Sequence, residues 1–96
     1  MLIDKGISSG EVVSMKLASG EEIVSKLTEE SDTFYKVSKP LLLSMNSQGV
    51  GMIPFMFTVD MEKDITINKS TVIAIQTTEK QFANQYTQGT TGIALR

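Results

Sequence analysis

Apolar and polar residues alternate near the beginning of the chain, which is the pattern of a half-buried β-strand. Val13, Met15 and Leu17 fall on one face of this first strand, and Ser14 and Lys16 fall on the other. A strand with this pattern buries one face in a core and leaves the other in water.

Two further strands are predicted in the next thirty or so residues by the same alternation. The second strand carries Ile23, Ser25 and Leu27 on one face, and a long third strand covers residues 33–45. Pro40 interrupts the third strand and cannot donate a ladder hydrogen bond. We therefore expect that strand to bend at Pro40 or to exchange one partner strand for another there.

The second half of the chain predicts two more strands. Residues 50–59 are apolar on both faces, so this fourth strand needs cover on both sides. Residues 65–76, ITINKSTVIAIQ, contain two strand-like runs on either side of the polar corner Asn68-Lys69-Ser70. We interpret this stretch as the fifth strand.

The apolar spacing then changes to that of a helix. Phe82 and Tyr86 are four residues apart, which places both on one helical face. We predict a short helix over residues 79–88, ended by Gly89, with both aromatic rings packed on the sheet.

This order of elements predicts an all-β protein with one domain. The expected fold is a five-stranded, strongly bent, small barrel, closed or nearly closed, followed by a short C-terminal helix. Residues 1–11 are expected to form a flexible arm, residues 12–77 the barrel, and residues 78–96 the helix and tail.

The composition excludes several kinds of chemistry. The 96 residues include no cysteine and no histidine, which removes disulfides, thiol nucleophiles, imidazole bases and the usual zinc sites. The acidic run at residues 60–64 lacks the glycine and the distal glutamate of a calcium loop. We expect no catalytic residues, no metal and no cofactor.

The absence of cysteine, of a membrane span and of a signal peptide favours a protein of the cytoplasm. The net charge of −2 argues against binding nucleic acid by bulk charge alone, although it leaves room for a local basic ring. No apolar run is long enough to span a membrane. The apolar stretch at the start of the sequence is too short for a signal peptide, and it is followed by an acidic residue.

The strand order and turn residues resemble those of the Sm-like family of small barrels. The resemblance lies in residues 13–17, 19–23 and 35–37 for the first family signature and in 65–76 for the second. Residues 51–56, Lys69-Ser70 and 84–86 are also similar to small Sm-like proteins of phages of marine bacteria. A phage origin would place the protein in the host cytoplasm.

The chain departs from the family pattern in three places. The helix follows the barrel instead of preceding it, and Ser25 stands where a bend glycine is common. The corner reads Asn68-Lys69-Ser70 where the family often has Arg-Gly-Asn, or Lys-His in the bacterial RNA chaperone. One cation is kept, and the rest of the nucleotide-reading set is not.

The resemblance implies an RNA site on the pore face of a ring. The matching residues are Phe34, Tyr35, Asn68, Lys69 and Ser70. An aromatic ring would stack on a base, and Lys69 would meet phosphate. The alternative is that the aromatic residues belong to the core and the corner only turns the chain.

The resemblance also implies a cyclic homo-oligomer, because Sm rings pair the fourth strand of one subunit with the fifth strand of the next. The expected interface residues are Met52, Pro54, Met56, Val72 and Ala74. The alternative is that the helix and tail of the same chain cover the fourth strand.

These expectations lead to two hypotheses of function. The first is a non-enzymatic ring that binds short single-stranded RNA at its pore face. The second is a structural, assembly or adaptor protein, from a phage or a bacterium, that uses the same barrel only to form oligomers.

Overall fold

The computed structural model describes residues 7–94, and the side chains of residues 7–90. The elements are β1 (Val12–Leu17), β2 (Glu22–Glu30), β3 (Phe34–Asn46), β4 (Gly49–Pro54), β5 (Ile65–Asn68), a 3-10 turn (Lys69–Thr71), β6 (Val72–Thr77) and α1 (Lys80–Ala94). The all-β class is confirmed, with one helix after the last strand.

The strands form an antiparallel sheet with the order β4-β3-β2-β1-β6, and β5 pairs with β3 outside this path. The segment β5–turn–β6 therefore runs from β3 at one end to β1 at the other. The sheet curves back on itself in this way. The expectation of a closed or nearly closed barrel was wrong, because the sheet does not close.

The predicted strand count was also wrong, because the sheet has six strands instead of five. The fifth predicted strand is divided by the 3-10 turn, where the chain leaves β3 and joins β1. The fourth ends at Pro54, five residues earlier than predicted, and one more backbone hydrogen bond follows, from the Phe55 amide to the Pro40 carbonyl at 3.0 Å.

The predicted partner exchange at Pro40 is confirmed. β3 pairs with β5 through residues 34–37 and with β4 through residues 41–46. On its other side, one residue of β2, Ser25, faces the two residues Lys39 and Pro40, because the register shifts between Val24 and Lys26. This is a β-bulge, which bends the strand.

The main core contains the alternating residues of the first three strands. Val13, Met15, Ile23, Leu27 and Val37 are all buried and pack together. The polar partners of the alternation lie outside this cluster, so the two-residue period located the core face correctly.

The helix is longer than predicted and continues through Gly89 to Ala94. Tyr86 packs with Val24 and Leu41, and its hydroxyl lies 2.8 Å from the carbonyl oxygen of Ser38 and 3.0 Å from that of Lys39. This single side chain therefore attaches α1 to the bulge in β3. Within the described residues, no helix is long and apolar enough to cross a membrane.

Part of the predicted N-terminal arm, residues 1–6, lies outside the described residues. Further along, the Gly10 amide donates to the Leu27 carbonyl at 2.6 Å, and the Leu27 amide donates to the Glu11 carbonyl at 2.9 Å. Residues 10 and 11 are thus hydrogen-bonded to β2.

Ser25 is fully buried opposite the bulge, and its Oγ has no hydrogen-bond partner within the described part of the chain. An unpartnered buried hydroxyl costs about 1–3 kcal/mol. We therefore expect Ser25→Ala to raise the free energy of unfolding by about 1–2 kcal/mol in a urea titration.

Ser14→Ala is the matched control for that substitution. The Ser14 hydroxyl lies 2.8 Å from the hydroxyl of Thr78, so its removal should lower stability by about 1 kcal/mol. A loss of stability in Ser25→Ala equal to that in Ser14→Ala would contradict an unpartnered hydroxyl.

Candidate nucleic-acid interface

The polar corner between β5 and β6 is a turn that is held by its own hydrogen bonds. The Asn68 Oδ1 accepts a hydrogen bond from the Ser70 amide at 3.0 Å, and the Thr71 hydroxyl donates to the Asn68 carbonyl at 2.8 Å. The Asn68 amide oxygen is therefore used by the turn itself. Its NH₂ group is the part of the side chain that a ligand would meet.

The corner lies beside the start of β3. Phe34 is paired with Asn68, Tyr35 is paired with Ile67, and the Lys69 amide donates to the Thr33 carbonyl at 2.9 Å. The loop before β3 and the corner after β5 are thus joined by ladder hydrogen bonds, although they are far apart in sequence.

The loop before β3 is held by Ser31. The Ser31 Oγ accepts from the amides of Thr33 at 3.2 Å and Phe34 at 3.1 Å, and its amide donates to the Phe34 carbonyl at 2.9 Å. These bonds fix the start of β3, where Phe34 and Tyr35 are half-buried.

The structure brings the five predicted site residues into one region. Tyr35 and Lys69 are in direct contact, because the Lys69 ammonium lies 5.0 Å from the centre of the Tyr35 ring, within cation–π range. Ser70 is exposed at the outer side of the turn. Tyr35 also packs against the core, so it serves the interior and the site together.

The corner includes one residue that the sequence did not single out, Glu30. Its Oε2 lies 2.6 Å from the Lys69 Nζ. The hydrogen bond to Glu30 raises the pKa of Lys69, partial desolvation opposes this effect, and the charges of Glu30 and Asp32 add to it. Lys69 is therefore charged at neutral pH and already paired.

Among the residues that the structure describes, the charges around the corner do not form a basic patch. Lys36 is paired with Glu29 at 3.4 Å, Lys69 is paired with Glu30, and Asp32 is exposed nearby. Two lysines thus face three carboxylates. A polyanion would bind here only where it displaces Glu30 from Lys69.

The predicted interface residues lie in two separate places. Met52, Pro54 and Met56 are on β4 or just after it, and the first two are half-buried and line a cavity beneath α1. Val72 and Ala74 are on β6, where Val72 packs against the core and Ala74 is exposed. β4 and β6 are the two ends of the main strand path.

Within residues 7–90, no three acidic side chains are placed to hold a metal ion together. A scan against protein-family models finds no matching family, and no curated protein shows significant similarity to the chain.

Proposed function

We propose that this chain is an Sm-like protein that forms a cyclic homo-oligomer and binds short single-stranded RNA at the corner of Tyr35, Asn68 and Lys69. The observation that supports it most is the contact between the Lys69 ammonium and the Tyr35 ring, at 5.0 Å, in a corner held by the β3–β5 ladder. A stacking surface, an amide and a cation are the groups that such RNA sites use.

Binding in this proposal exchanges one partner of Lys69 for another. In the free protein the Lys69 ammonium covers the Tyr35 ring and is bonded to Glu30. A nucleotide would draw Lys69 toward its phosphate and place its base on the uncovered ring. The Asn68 NH₂ group would then donate to the base edge or to the sugar.

Assembly in this proposal uses the two ends of the sheet. Among the described residues, β4 pairs only with β3 and β6 pairs only with β1, so one edge of each strand is open to a neighbouring subunit. Such an addition is head-to-tail, because it joins two different edges, and it closes into a ring when the rotation permits. Ile73 on β6 is 67% exposed, which fits an interface position.

The RNA proposal predicts a specific pattern of lost affinity. We expect uridine or adenine oligomers to bind at low salt, and Tyr35→Leu, which keeps an apolar side chain but no ring, to weaken binding by about 10–100-fold. Lys69→Ala should weaken binding and reduce the salt dependence by about one phosphate contact. Fluorescence anisotropy between about 50 and 200 mM salt measures both effects.

Lys63→Ala is the control, since Lys63 is exposed in the turn that follows β4 and lies outside the proposed site. Equal losses in Lys63→Ala and Lys69→Ala would mean that only total charge matters. Failure of every oligomer to bind the unaltered protein at low salt would refute the RNA proposal.

The assembly proposal predicts that a charge on β6 separates the subunits. Ile73→Asp should convert a ring of several subunits into monomers, because a buried carboxylate at an interface is costly without a partner. Size-exclusion chromatography with light scattering measures the mass. Thr66→Asp, at an exposed position of β5, should leave the mass unchanged, and a monomeric unaltered protein at high concentration would refute the ring.

The second candidate function is that of an assembly or adaptor protein with no RNA ligand. It is favoured by the ion pair between Lys69 and Glu30, whose atoms Nζ and Oε2 lie 2.6 Å apart. Glu30 neutralises the charge of Lys69, which is the cation of the turn Lys69–Thr71. Glu30→Gln distinguishes the two functions. It should strengthen RNA binding if Lys69 meets phosphate, whereas an adaptor would form the same ring and bind no RNA with or without Glu30.

A further inference from the structure

A cavity of about 300 Å³ lies between the sheet and α1, away from the corner described above. Its walls are mainly apolar and come from β3, β4 and the segment that follows β4: Leu41, Met52, Pro54 and Met61. Gln85 and Gly89 form the side made by the helix. A volume of this size is at the lower end of small-molecule sites.

Lys39 stands at the edge of this cavity in an unusual backbone conformation. Its φ is +47°, in the left-handed region that residues with a side chain rarely adopt. The conformation is maintained by the bulge opposite Ser25 and by the Tyr86 hydroxyl, 3.0 Å from the Lys39 carbonyl oxygen. Such strain persists where the surroundings fix it, and it often marks a binding site.

The charge of Lys39 is only weakly compensated. Its Nζ lies 3.7 Å from Glu62 Oε1, near the limit for an ion pair. The side chain of Lys39 is 26% exposed, whereas that of Glu62 is 77% exposed. Glu62 can therefore return to water at little cost, and the cation at the cavity edge is the more deeply held partner.

We propose that this cavity binds a small amphipathic carboxylate, with its carboxyl group on Lys39 and its alkyl chain between the sheet and α1. The carboxylate replaces Glu62 as the partner of Lys39, and the Gln85 amide is the helix group available to donate a further hydrogen bond. The alkyl chain packs on Leu41, Met52 and Met61, where methionine side chains adapt to its shape. The site does not depend on the proposed RNA function.

A cationic ligand fits the cavity less well. It would have to use Glu62, which is mostly in water, and would lie beside the half-buried ammonium of Lys39. An uncharged alkyl ligand would leave Lys39 as it is and gain only the apolar contacts. The carboxylate is therefore the ligand that uses both the walls and the edge.

Sodium decanoate, kept below its micelle-forming concentration, is the probe. With methyl-labelled methionine, its addition should shift the NMR signals of Met52 and Met61 in a saturable way and leave those of Met15 and Met45 unchanged. Met15 is in the main core, and Met45 is exposed near the far end of β3, so they report on other parts of the molecule.

Lys39→Met keeps the apolar stem and removes the charge, and it should weaken decanoate binding by about 10–100-fold, as expected for the loss of a charged hydrogen bond. Lys36→Met, at a lysine paired with Glu29, is the matched control and should bind as the unaltered protein does. Decanol should bind much more weakly than decanoate.

A second pair of variants tests the cavity without touching Lys39. A Cβ placed on Gly89 meets no atom within 4 Å, so a side chain there has room to grow. Gly89→Leu should fill the cavity and abolish the Met52 and Met61 shifts, while Gly89→Ala, which is also a better helix former, should retain most of them.

Four results would overturn the proposal. They are equal binding of decanol and decanoate, unchanged binding in Lys39→Met, shifts that appear at Met45 and not at Met52 and Met61, and the absence of any saturable shift. If decanoate causes no saturable shift at all, the cavity is not a site for this class of ligand.

Discussion

Replacing Tyr86 with alanine should lower the free energy of unfolding by about 3–5 kcal/mol, the range found for large aromatic residues in cores. Tyr86 is 2% exposed and packs with Val24 and Leu41, and among the described side chains of α1 it is the hydrophobic one buried against the sheet. Its loss leaves a cavity and releases the helix. Urea unfolding followed by circular dichroism measures the change.

Tyr86→Phe separates the ring from its hydroxyl. The ring remains packed, but the carbonyls of Ser38 and Lys39 lose their donor, which should cost about 1–3 kcal/mol. Tyr35→Phe, at the other tyrosine, is the control and should change stability by less than about 0.5 kcal/mol. If Tyr86→Phe is as stable as the unaltered protein, the hydroxyl does not hold the helix.

The second large effect is a loss of stability at high pH. Burial raises the pKa of Tyr86 to about 12, from an ordinary value of 10.0, and a hydrogen bond with the Lys26 backbone opposes this only partly. The folded protein thus keeps the phenol proton at pH values where the unfolded chain has released it. The resulting stability is complete below pH 10 and is lost as the pH rises to about 12.

The size of this effect follows from the shift of about two pKa units, at about 1.4 kcal/mol each, or at most about 3 kcal/mol. The quantity that isolates the contribution of Tyr86 is the stability difference between the unaltered protein and Tyr86→Phe. That difference should decrease steadily from about pH 10 to pH 12. A constant difference would show that the Tyr86 pKa is not raised.

The first three strands could be predicted from the sequence because one face of each is buried. Val13 and Met15 in β1 alternate with less buried residues, and Ile23 and Leu27 lie on one face of β2, although Val24 is buried with Tyr86 on the other face. A two-residue period was therefore present to detect. Pro40 was equally informative, because a missing amide donor restricts where a strand can pair.

The later elements were harder to predict because tertiary packing overrides local preference there. Residues 55–59 are as apolar as a strand, yet they follow the ladder end at Pro54, and Phe57 is 75% exposed. Gly89 is a poor helix residue, and it was read as a stop signal. The packing of Tyr86 supports the helix on either side of it.

The candidate RNA site was predicted in its parts but not in its electrostatics. A resemblance to Sm-like proteins pointed to Tyr35 and Lys69, and the β3–β5 ladder brings them together. Glu30 was overlooked because residues 29–32 looked like a charged loop, whereas β2 continues to Glu30. Extending the predicted second strand to the turn would have revealed it, because Glu30 then pairs with Tyr35 across the hairpin.

The attachment of Tyr86 to the β3 bulge also bears on the order in which the chain folds. The two hydrogen bonds join residues that are 47 and 48 positions apart, whereas the β2–β3 hairpin is built from near neighbours in sequence. Closing the longer loop costs more conformational entropy. The hydrogen bonds that offset this cost can form only when the carbonyls at the bulge are already in place. We therefore expect the β2–β3 hairpin to form before the helix docks on the bulge.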